Sequence, residues 1–170
     1  MVDPINASAD EIRIEDIAHA LSMLCRANGH FPHFYSVAQH SVNCVREARA
    51  RGYSDRIQLG CLLHDASEAY LSDITRPVKP YLAGYIDIEA NLQKIVFDKW
   101  IPNLSEDEKK LIFEIDDAIL YYEFIELMNE RLTPKEPMLN SEPVFDFVEF
   151  SKVEGEFLMI FNGLKLKTKG

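Results

Sequence analysis

Apolar residues recur every three or four positions along most of the chain, which is the period of an amphipathic α-helix. No stretch alternates with period two for long enough to indicate a β-sheet. Proline and glycine separate the periodic segments from one another. The pattern therefore predicts an all-α fold with helices over six segments: from Ile14 to Cys25, Val37 to Ala48, Ile57 to about Leu71, Tyr85 to Trp100, the Ser105 cap to Glu130, and Phe145 to about Phe161.

Three serine-acid or serine-glutamine pairs have capping-box spacing, in which residues three positions apart satisfy the free N–H groups at a helix start. These pairs are predicted to begin the first, second and fifth helices, and Ser54 or Asp55 is predicted to cap the third: Ser8 with Glu11, Ser36 with Gln39, and Ser105 with Glu108. Asn28 and Gly29 are predicted to end the first helix because they tolerate left-handed backbone geometry. The proline-containing segments "SDITRPVKP" and "LTPKEPMLNSEP" are predicted loops.

Length and charge limit the possible functions. A chain of 170 residues with 47% hydrophobic content suits one domain spanning residues 1–170. The net charge of -10 argues against a partner such as a nucleic-acid polymer or an anionic membrane. The three cysteines, without Cys-x-x-Cys spacing, indicate buried free thiols. Because the start of the chain resembles no signal peptide and no apolar run could span a bilayer, we expect a soluble, cytoplasmic protein.

Several ionisable side chains lie where the helical pattern predicts core. His40 shares a face with Val37 and Cys44, and His64 shares one with Cys61. Asp65 follows His64 directly, and Glu68 lies one turn later. Because a buried imidazole or carboxylate is costly unless it is paired or binds a cation, this group predicts a metal site.

A fourth ligand is expected from the fifth helix, where two aspartates are adjacent. Asp116 lies among Ile112, Ile119 and Leu120, whereas Asp117 has charged neighbours, so the pattern favours Asp116 over Asp117. Two imidazoles and two carboxylates form a mixed nitrogen and oxygen donor set. Such a set accepts one divalent ion such as Mn, Co, Fe, Ni, Zn or Mg, and does not by itself select among them.

The order His, His-Asp, Asp resembles that of the HD-domain metal-dependent phosphohydrolases. The resemblance extends from about residue 16 to 128. Within the family, this part of the chain is similar to the branch that includes bacterial 5'-deoxynucleotidases and phage dATP triphosphohydrolases. The segment from about residue 145 to 162 would then be a C-terminal helical extension. Four ordered blocks support the resemblance: "DIAHALSMLCRANGH", "FYSVAQHSV", "CLLHDASEAYLSDITRPVK" and "DDAILYYEFIELM".

The resemblance implies specific roles for residues of this chain. It implies a metal site formed by His40, His64, Asp65 and Asp116. It implies that Glu68 positions or deprotonates the attacking water, and that Asp73 contacts the sugar or the water network. Arg26 and Lys79 are implied to contact phosphate, and Pro77 to lie near the nucleoside. Relatives with strong base selection often have Trp after the arginine, whereas this chain has Ala27.

The function expected from these residues is metal-dependent hydrolysis of a phosphate ester in a small nucleotide, with a 2'-deoxyribonucleoside mono- or triphosphate as the expected substrate. Metal and base supply what such hydrolysis requires near neutral pH. Basic residues are expected to make the pocket locally positive. Two alternatives remain: a nucleotide-sensing helical module without catalysis, and an HD phosphodiesterase acting on another nucleotide. The resemblance also implies a homo-oligomer.

Overall fold

The predicted all-α architecture is confirmed by a computed structural model, which describes residues 2–167 and side chains up to residue 165. Residues 1 and 168–170 of the predicted domain lie outside this range. No β-strand occurs in the described part of the chain, and one isolated bridge joins Cys25 and Ser36. The described α-helices are α1 (Ile14–Met23), α2 (Val37–Ala50), α3 (Asp55–Leu63), α4 (Glu68–Leu71), α5 (Tyr85–Trp100), α6 (Glu106–Met128) and α7 (Phe150–Lys167).

Helices α2 and α3 form the centre of the molecule. They pack against each other and both pack against α6 and α7, while α1 covers α2 and α7. Helix α2 is buried along most of its length, including polar side chains that usually face solvent. Gly60 of α3 allows the close approach of α6, because a Cβ there would lie 2.3 Å from Cδ1 of Ile112. In the described range, no helix has the length and apolar character needed to cross a membrane.

Serine caps start α2, α3 and α6 as predicted. The side chains of Ser36 and Ser54 each accept a backbone N–H bond, and Ser105 forms a complete capping box with Glu108. The prediction for α1 was wrong. Ser8 and Glu11 do hydrogen-bond to each other, but α1 begins later, at Ile14, without a side-chain cap.

Helix α1 also ends earlier than its apolar period predicted. It stops at Met23, because the next residues pair with the segment before α2 instead of continuing the helix. The N–H of Arg26 donates to Tyr35 O at 2.9 Å, and the N–H of Val37 donates to Leu24 O at 3.0 Å. Asn28 and Gly29 adopt positive φ as expected, but in a separate short turn.

The predicted third helix is interrupted. Helix α3 ends at Leu63, and a turn of residues 64–67 separates it from the single-turn helix α4. The periodicity predicted one continuous helix through His64 and Glu68, and this prediction was wrong. The side chain of Gln93 from α5 contacts backbone groups on both sides of this break.

The C-terminal helix belongs to the same core as the preceding helices. Helix α7 begins at Phe150, five residues after the predicted start, and packs on α1, α2 and α3. Phe157 and Phe161 are fully or almost fully buried, and the ring of Phe161 meets Trp100 edge to face. This helix therefore completes the bundle and is not a peripheral extension.

A row of buried polar side chains on α2 fixes the loop before α7. Gln39, Asn43 and Glu47 are spaced four residues apart and so lie on one helix face. Gln39 donates to the carbonyls of Val144 and Asp146, and Asn43 both donates to Val144 O and accepts its N–H. These bonds satisfy backbone groups of a loop that forms no regular structure.

The Glu47 carboxylate is the most heavily bonded member of this row. It accepts hydrogen bonds from the N–H groups of Asn140 and Ser141, from the Ser141 hydroxyl, and from Nε of Arg51. Burial alone raises the pKa of Glu47, but the bonds from Arg51 and Ser141 outweigh burial and keep the pKa below its ordinary value of 4.5. Because folding lowers this pKa, the stabilisation is present above pH 4.5 and is lost as pH falls through the folded-state value.

We expect Glu47→Gln to reduce the free energy of unfolding by about 1–3 kcal/mol at pH 7, since charged acceptors bond more strongly than neutral ones. Urea denaturation at pH 7 and pH 4 measures the effect. The difference from wild type should shrink at the lower pH, because pH 4 lies below the ordinary pKa of 4.5 and the carboxylate of the unfolded wild-type chain is then mostly protonated. Glu142→Gln, which changes an exposed acid in the same loop, is the control. A loss of equal size at both pH values would contradict the role of the carboxylate.

Candidate metal centre

Two histidines, one on α2 and one in the turn after α3, point their Nε2 atoms at each other. His40 of α2 is fully buried, the His64 side chain is 4% exposed, and their Nε2 atoms are 3.2 Å apart. The other ring nitrogens have partners that accept hydrogen bonds: His40 Nδ1 lies 2.6 Å from Glu123 Oε1, and His64 Nδ1 lies 2.8 Å from Cys61 O. A carbonyl or carboxylate oxygen accepts, so both neutral rings carry their proton on Nδ1. Both Nε2 lone pairs are then directed at one point.

Two carboxylate oxygens reach the same point. Asp116 Oδ1 is 3.0 Å from Nε2 of His40 and 3.5 Å from that of His64. Asp65 Oδ2 is 3.9 Å and 3.2 Å from the same two atoms. The Asp117 side chain is 61% exposed and pairs with Arg76 instead. Of the two adjacent aspartates, Asp116 is the one that the fold brings to the histidines.

These four atoms fit a bound cation. Atoms that bind one metal at about 2.1 Å, with bond angles between 90° and 140°, are roughly 3.0 to 3.9 Å apart. The nitrogen-nitrogen and nitrogen-oxygen separations at this centre fall within that interval, from 3.0 to 3.9 Å. Four electron-rich atoms repel one another unless a proton or a metal lies among them. The residues therefore suit a divalent ion.

The pKa values of the four groups show the same demand for positive charge. Burial alone lowers the pKa of His64, but Asp65 and Asp116 raise it well above its ordinary value. Burial alone raises the pKa of Asp116, but hydrogen bonds with His40 and His64 hold it well below its ordinary value. Each carboxylate is thus stabilised by a positive neighbour, a role that either a protonated imidazole or a metal fulfils.

Cys44 is a further donor that the sequence analysis assigned only to the core. Its Sγ is 3.5 Å from His40 Nε2, and the donor atoms of His40, Cys44 and His64 all lie within 4.8 Å of one another. Burial raises the pKa of Cys44 well above its ordinary value, and Asp116 adds to the shift. Since a metal binds the thiolate, this environment favours the two aspartates as partners of the histidines. The described cysteines are free, as predicted, but only Cys44 and Cys61 are buried and Cys25 is half-buried.

A buried ion pair of Arg26 and Glu123 lies behind His40 and orients its ring. Arg26 Nε lies 3.2 Å from Glu123 Oε2, and its Nη1 atom lies 3.3 Å from Asp65 Oδ2. Burial alone raises the pKa of Glu123, but Arg26 and His40 lower it. The ionised carboxylate of Glu123 therefore accepts a hydrogen bond from Nδ1–H of His40. Such bonds to metal-binding histidines fix the tautomer and the ring orientation. Glu123, which the sequence analysis left unassigned, lies two helical turns after Asp116 and so shares its face.

Glu68 is buried beside this centre with one free oxygen. Its side chain is 5% exposed, and Oε2 has no hydrogen-bond partner among the described residues. Burial raises the pKa of Glu68 to about 9, and the charges of Asp65 and Asp73 contribute to the shift. Burial also raises the pKa of the half-buried Asp73. Both predicted catalytic acids therefore lie in a low-dielectric pocket close to the proposed ligands.

The cations near the centre are each shared between two acids. Six carboxyl groups contact three cations: Arg26 bridges Asp65 and Glu123, Lys79 bridges Glu68 and Glu89, and Arg76 bridges Asp116 and Asp117. Even with Glu68 protonated, carboxylates outnumber these cations by two. The expectation of a locally positive pocket is therefore wrong for the side chains alone.

Other residues implied by the resemblance lie at different depths. Arg26, predicted to contact phosphate, is buried, with its guanidinium bonded to two acids. Pro77 lies on an exposed turn next to Arg76, whose side chain is 65% exposed above Asp116. The aromatic residues Phe31 and Tyr35 of the loop before α2 are buried and packed on Phe124 and Phe145. Neither ring is available at the surface.

The chain is similar to two proteins whose names state no function. No family model matches the chain. It is similar to the uncharacterized protein YfdR of Escherichia coli (strain K12), with 41% identity over 98 residues that are 58% of this chain and 51% of YfdR. It is also similar to the uncharacterized protein RCAP_rcc00048 of Rhodobacter capsulatus, with 40% identity over 101 residues, 56% of this chain and 51% of the relative. The chain spans about half the length of these curated relatives.

Substituting the adjacent aspartates tests which of them binds the metal. We expect Asp116→Asn to weaken Co²⁺ binding at least about tenfold, because it replaces an anionic donor that faces both histidines. Asp117→Asn removes the same charge one position away and should change the affinity less than about threefold, since an exposed charge is screened by solvent. Isothermal titration with Co²⁺ measures both. Equal losses in the two variants would contradict the assignment of Asp116.

Proposed function

We propose that this chain is a metal-dependent phosphohydrolase of the HD type that hydrolyses a phosphate ester of a small nucleotide. The observation that supports it most strongly is that the Nε2 atoms of His40 and His64 lie 3.2 Å apart, with oxygens of Asp65 and Asp116 beside them. The preferred substrate is a 2'-deoxyribonucleoside mono- or triphosphate, as the resemblance of the sequence blocks implies. We also propose that the protein is cytoplasmic and forms a homo-oligomer.

His40, His64, Asp65 and Asp116 would hold one divalent ion in this proposal. When bound, such an ion supplies positive charge that polarises a phosphate oxygen, acidifies water and favours the carboxylate form of Glu68. Glu123 and Arg26 keep His40 and Asp65 in place by the bonds described above. The charge excess of two around the centre makes phosphate binding unfavourable without this ion, because phosphate is itself an anion.

Glu68 is the proposed general base. Its free Oε2 accepts a proton from the attacking water, the water oxygen bonds to phosphorus, and the bond from phosphorus to the leaving oxygen breaks. Asp73, on the loop that follows α4, contacts the sugar or the water network. Lys79 lies 3.5 Å from Glu68 and offsets negative charge on the phosphate. Arg76 extends over Asp116 from the solvent side, where an incoming phosphate would meet it.

The second candidate function is a nucleotide sensor without catalysis. The protonated form of Glu68 supports it, because a protonated acid cannot act as a general base. With a pKa of about 9, this group is protonated at neutral pH and accepts no proton unless positive charge comes close. A chain that binds the metal but keeps Glu68 protonated would then bind a nucleotide without hydrolysing it. The two functions differ in whether turnover appears when metal is added.

We expect Mn²⁺ or Co²⁺ to produce turnover of deoxynucleotides by the wild-type chain, measured as released phosphate or triphosphate. His64→Ala should lose both metal binding and turnover, since it removes a ligand. Glu68→Gln should retain metal binding and lose turnover by about 10²- to 10⁴-fold, the usual contribution of a general base.

Glu126→Gln, an exposed acid on α6, is the control and should match wild type in both measurements. Metal binding by the wild type without hydrolysis of any nucleotide would favour the sensor. Equal metal loss in His64→Ala and Glu68→Gln would contradict the separation of ligand from base.

A further inference from the structure

The amide of Gln93 on α5 bridges two backbone groups at the break between α3 and α4. Its Nε2 donates to the carbonyl of Leu63 at 2.7 Å, and its Oε1 accepts the N–H of Ser67 at 3.1 Å. Both halves of the amide are therefore used, one as donor and one as acceptor. The bridge joins α5 to the segment that carries the candidate metal ligands.

Leu63 and Ser67 are four residues apart, so their carbonyl and N–H are the pair that an uninterrupted α-helix would join directly. The Gln93 amide lies between them and bonds to both, in place of that bond. An inserted side chain of this kind is a recognised cause of a sharp helix kink. The chain just after the insertion follows tighter geometry, because Glu68, Ala69 and Tyr70 donate to carbonyls three residues earlier, and the four-residue pattern returns at Ser72, whose N–H donates to Glu68 O.

The opened turn contains the residues on which the proposed chemistry depends. His64 and Asp65 lie inside it, and Glu68 follows it directly. Three-residue turns rotate the chain by about 120° per residue and α-helices by about 100°, so over four residues the direction of Glu68 relative to His64 changes by roughly 80°. A continuous helix would therefore aim these side chains differently.

We infer that Gln93 is a positioning residue for the metal centre: by holding the helix open between Leu63 and Ser67 it sets the directions of His64, Asp65 and Glu68. The inference rests on the proposed function, since it assigns Gln93 a role in arranging the proposed ligands and base. Gln93 reaches the centre only through the backbone, and the sequence pattern around it, on a helix of ordinary apolar period, gives no sign of this role.

Two variants separate the bonds of the amide from its volume. Gln93 borders a cavity of about 60 Å³ that His64 and Ile112 also line, so a shorter side chain would enlarge a void as well as remove bonds. Gln93→Leu keeps most of the volume and removes both bonds. Gln93→Glu keeps the shape and the acceptor for Ser67 but has no N–H to donate to Leu63. If the leucine variant fails to fold, the glutamate variant tests the same bridge.

The matched control is Gln58 of α3. Its amide is also buried and also makes two hydrogen bonds. The amide nitrogen donates to the backbone carbonyl of Tyr53, and the amide oxygen accepts from Nε of Arg49. Gln58→Leu should therefore cost similar folding stability by the same loss of buried hydrogen bonds. Neither Tyr53 nor Arg49 belongs to the metal centre.

Titration with Co²⁺, followed by its visible absorption and with thermal unfolding measured in parallel, is the test. We expect Gln93→Leu to weaken Co²⁺ affinity by about tenfold or more and to change the absorption bands, because the ligands are misdirected. Gln93→Glu should weaken it in the same direction, and Gln58→Leu should leave affinity and bands as in wild type.

The outcomes distinguish this inference from the function on which it rests. If the wild type and Gln58→Leu bind Co²⁺ and both Gln93 variants bind it equally well with the same bands, Gln93 has no positioning role and the proposed function stands. If Gln58→Leu weakens binding as much as Gln93→Leu, the effect is general destabilisation and the inference is wrong. If the wild type binds no Co²⁺, the proposed function and the inference both fail.

Discussion

The arrangement of the site depends on two imidazole nitrogens that face each other with their lone pairs. His40 comes from α2 and His64 from the turn after α3, and hydrogen bonds to Glu123 and to the Cys61 carbonyl place the proton of each neutral ring on the far nitrogen. At 3.2 Å, two such lone pairs repel unless positive charge lies between or beside them. The carboxylates of Asp65 and Asp116 add negative charge at the same point. They belong to a group of six carboxyls that share only three cations, so the centre as a whole needs further positive charge.

Much of the fold was predictable because it follows from local rules. Helical period and the serine caps predicted α2, α5 and α6 closely, and the inward phase of His40 and Asp116 followed from their apolar neighbours. Local rules failed where a distant segment supplied hydrogen bonds to the backbone. Pairing of Leu24 with Val37 ended α1 early, and insertion of Gln93 divided the predicted third helix.

The candidate site shows the same division. The donors could be predicted, because an ionisable side chain on an apolar face is unusual within its own helix. The residues that orient the donors and balance nearby charges could not be predicted. In the sequence, Glu89 and Glu123 look like other acids of their helices, and only the fold brings them to Lys79 and His40. Counting basic residues alone suggested a positive pocket, since the acids that pair with them come from other segments. Charge balance at a site is a property of the tertiary structure.

The central claim is that this balance is completed by one divalent ion held by His40, His64, Asp65 and Asp116. Anomalous scattering from crystals grown with Mn²⁺ or Co²⁺ tests it most directly. The account predicts one strong peak in contact with Nε2 of both histidines and with both aspartates, at about 2.0–2.2 Å. A cleft without anomalous density at saturating metal, with the two histidines bridged by a proton instead, would contradict it.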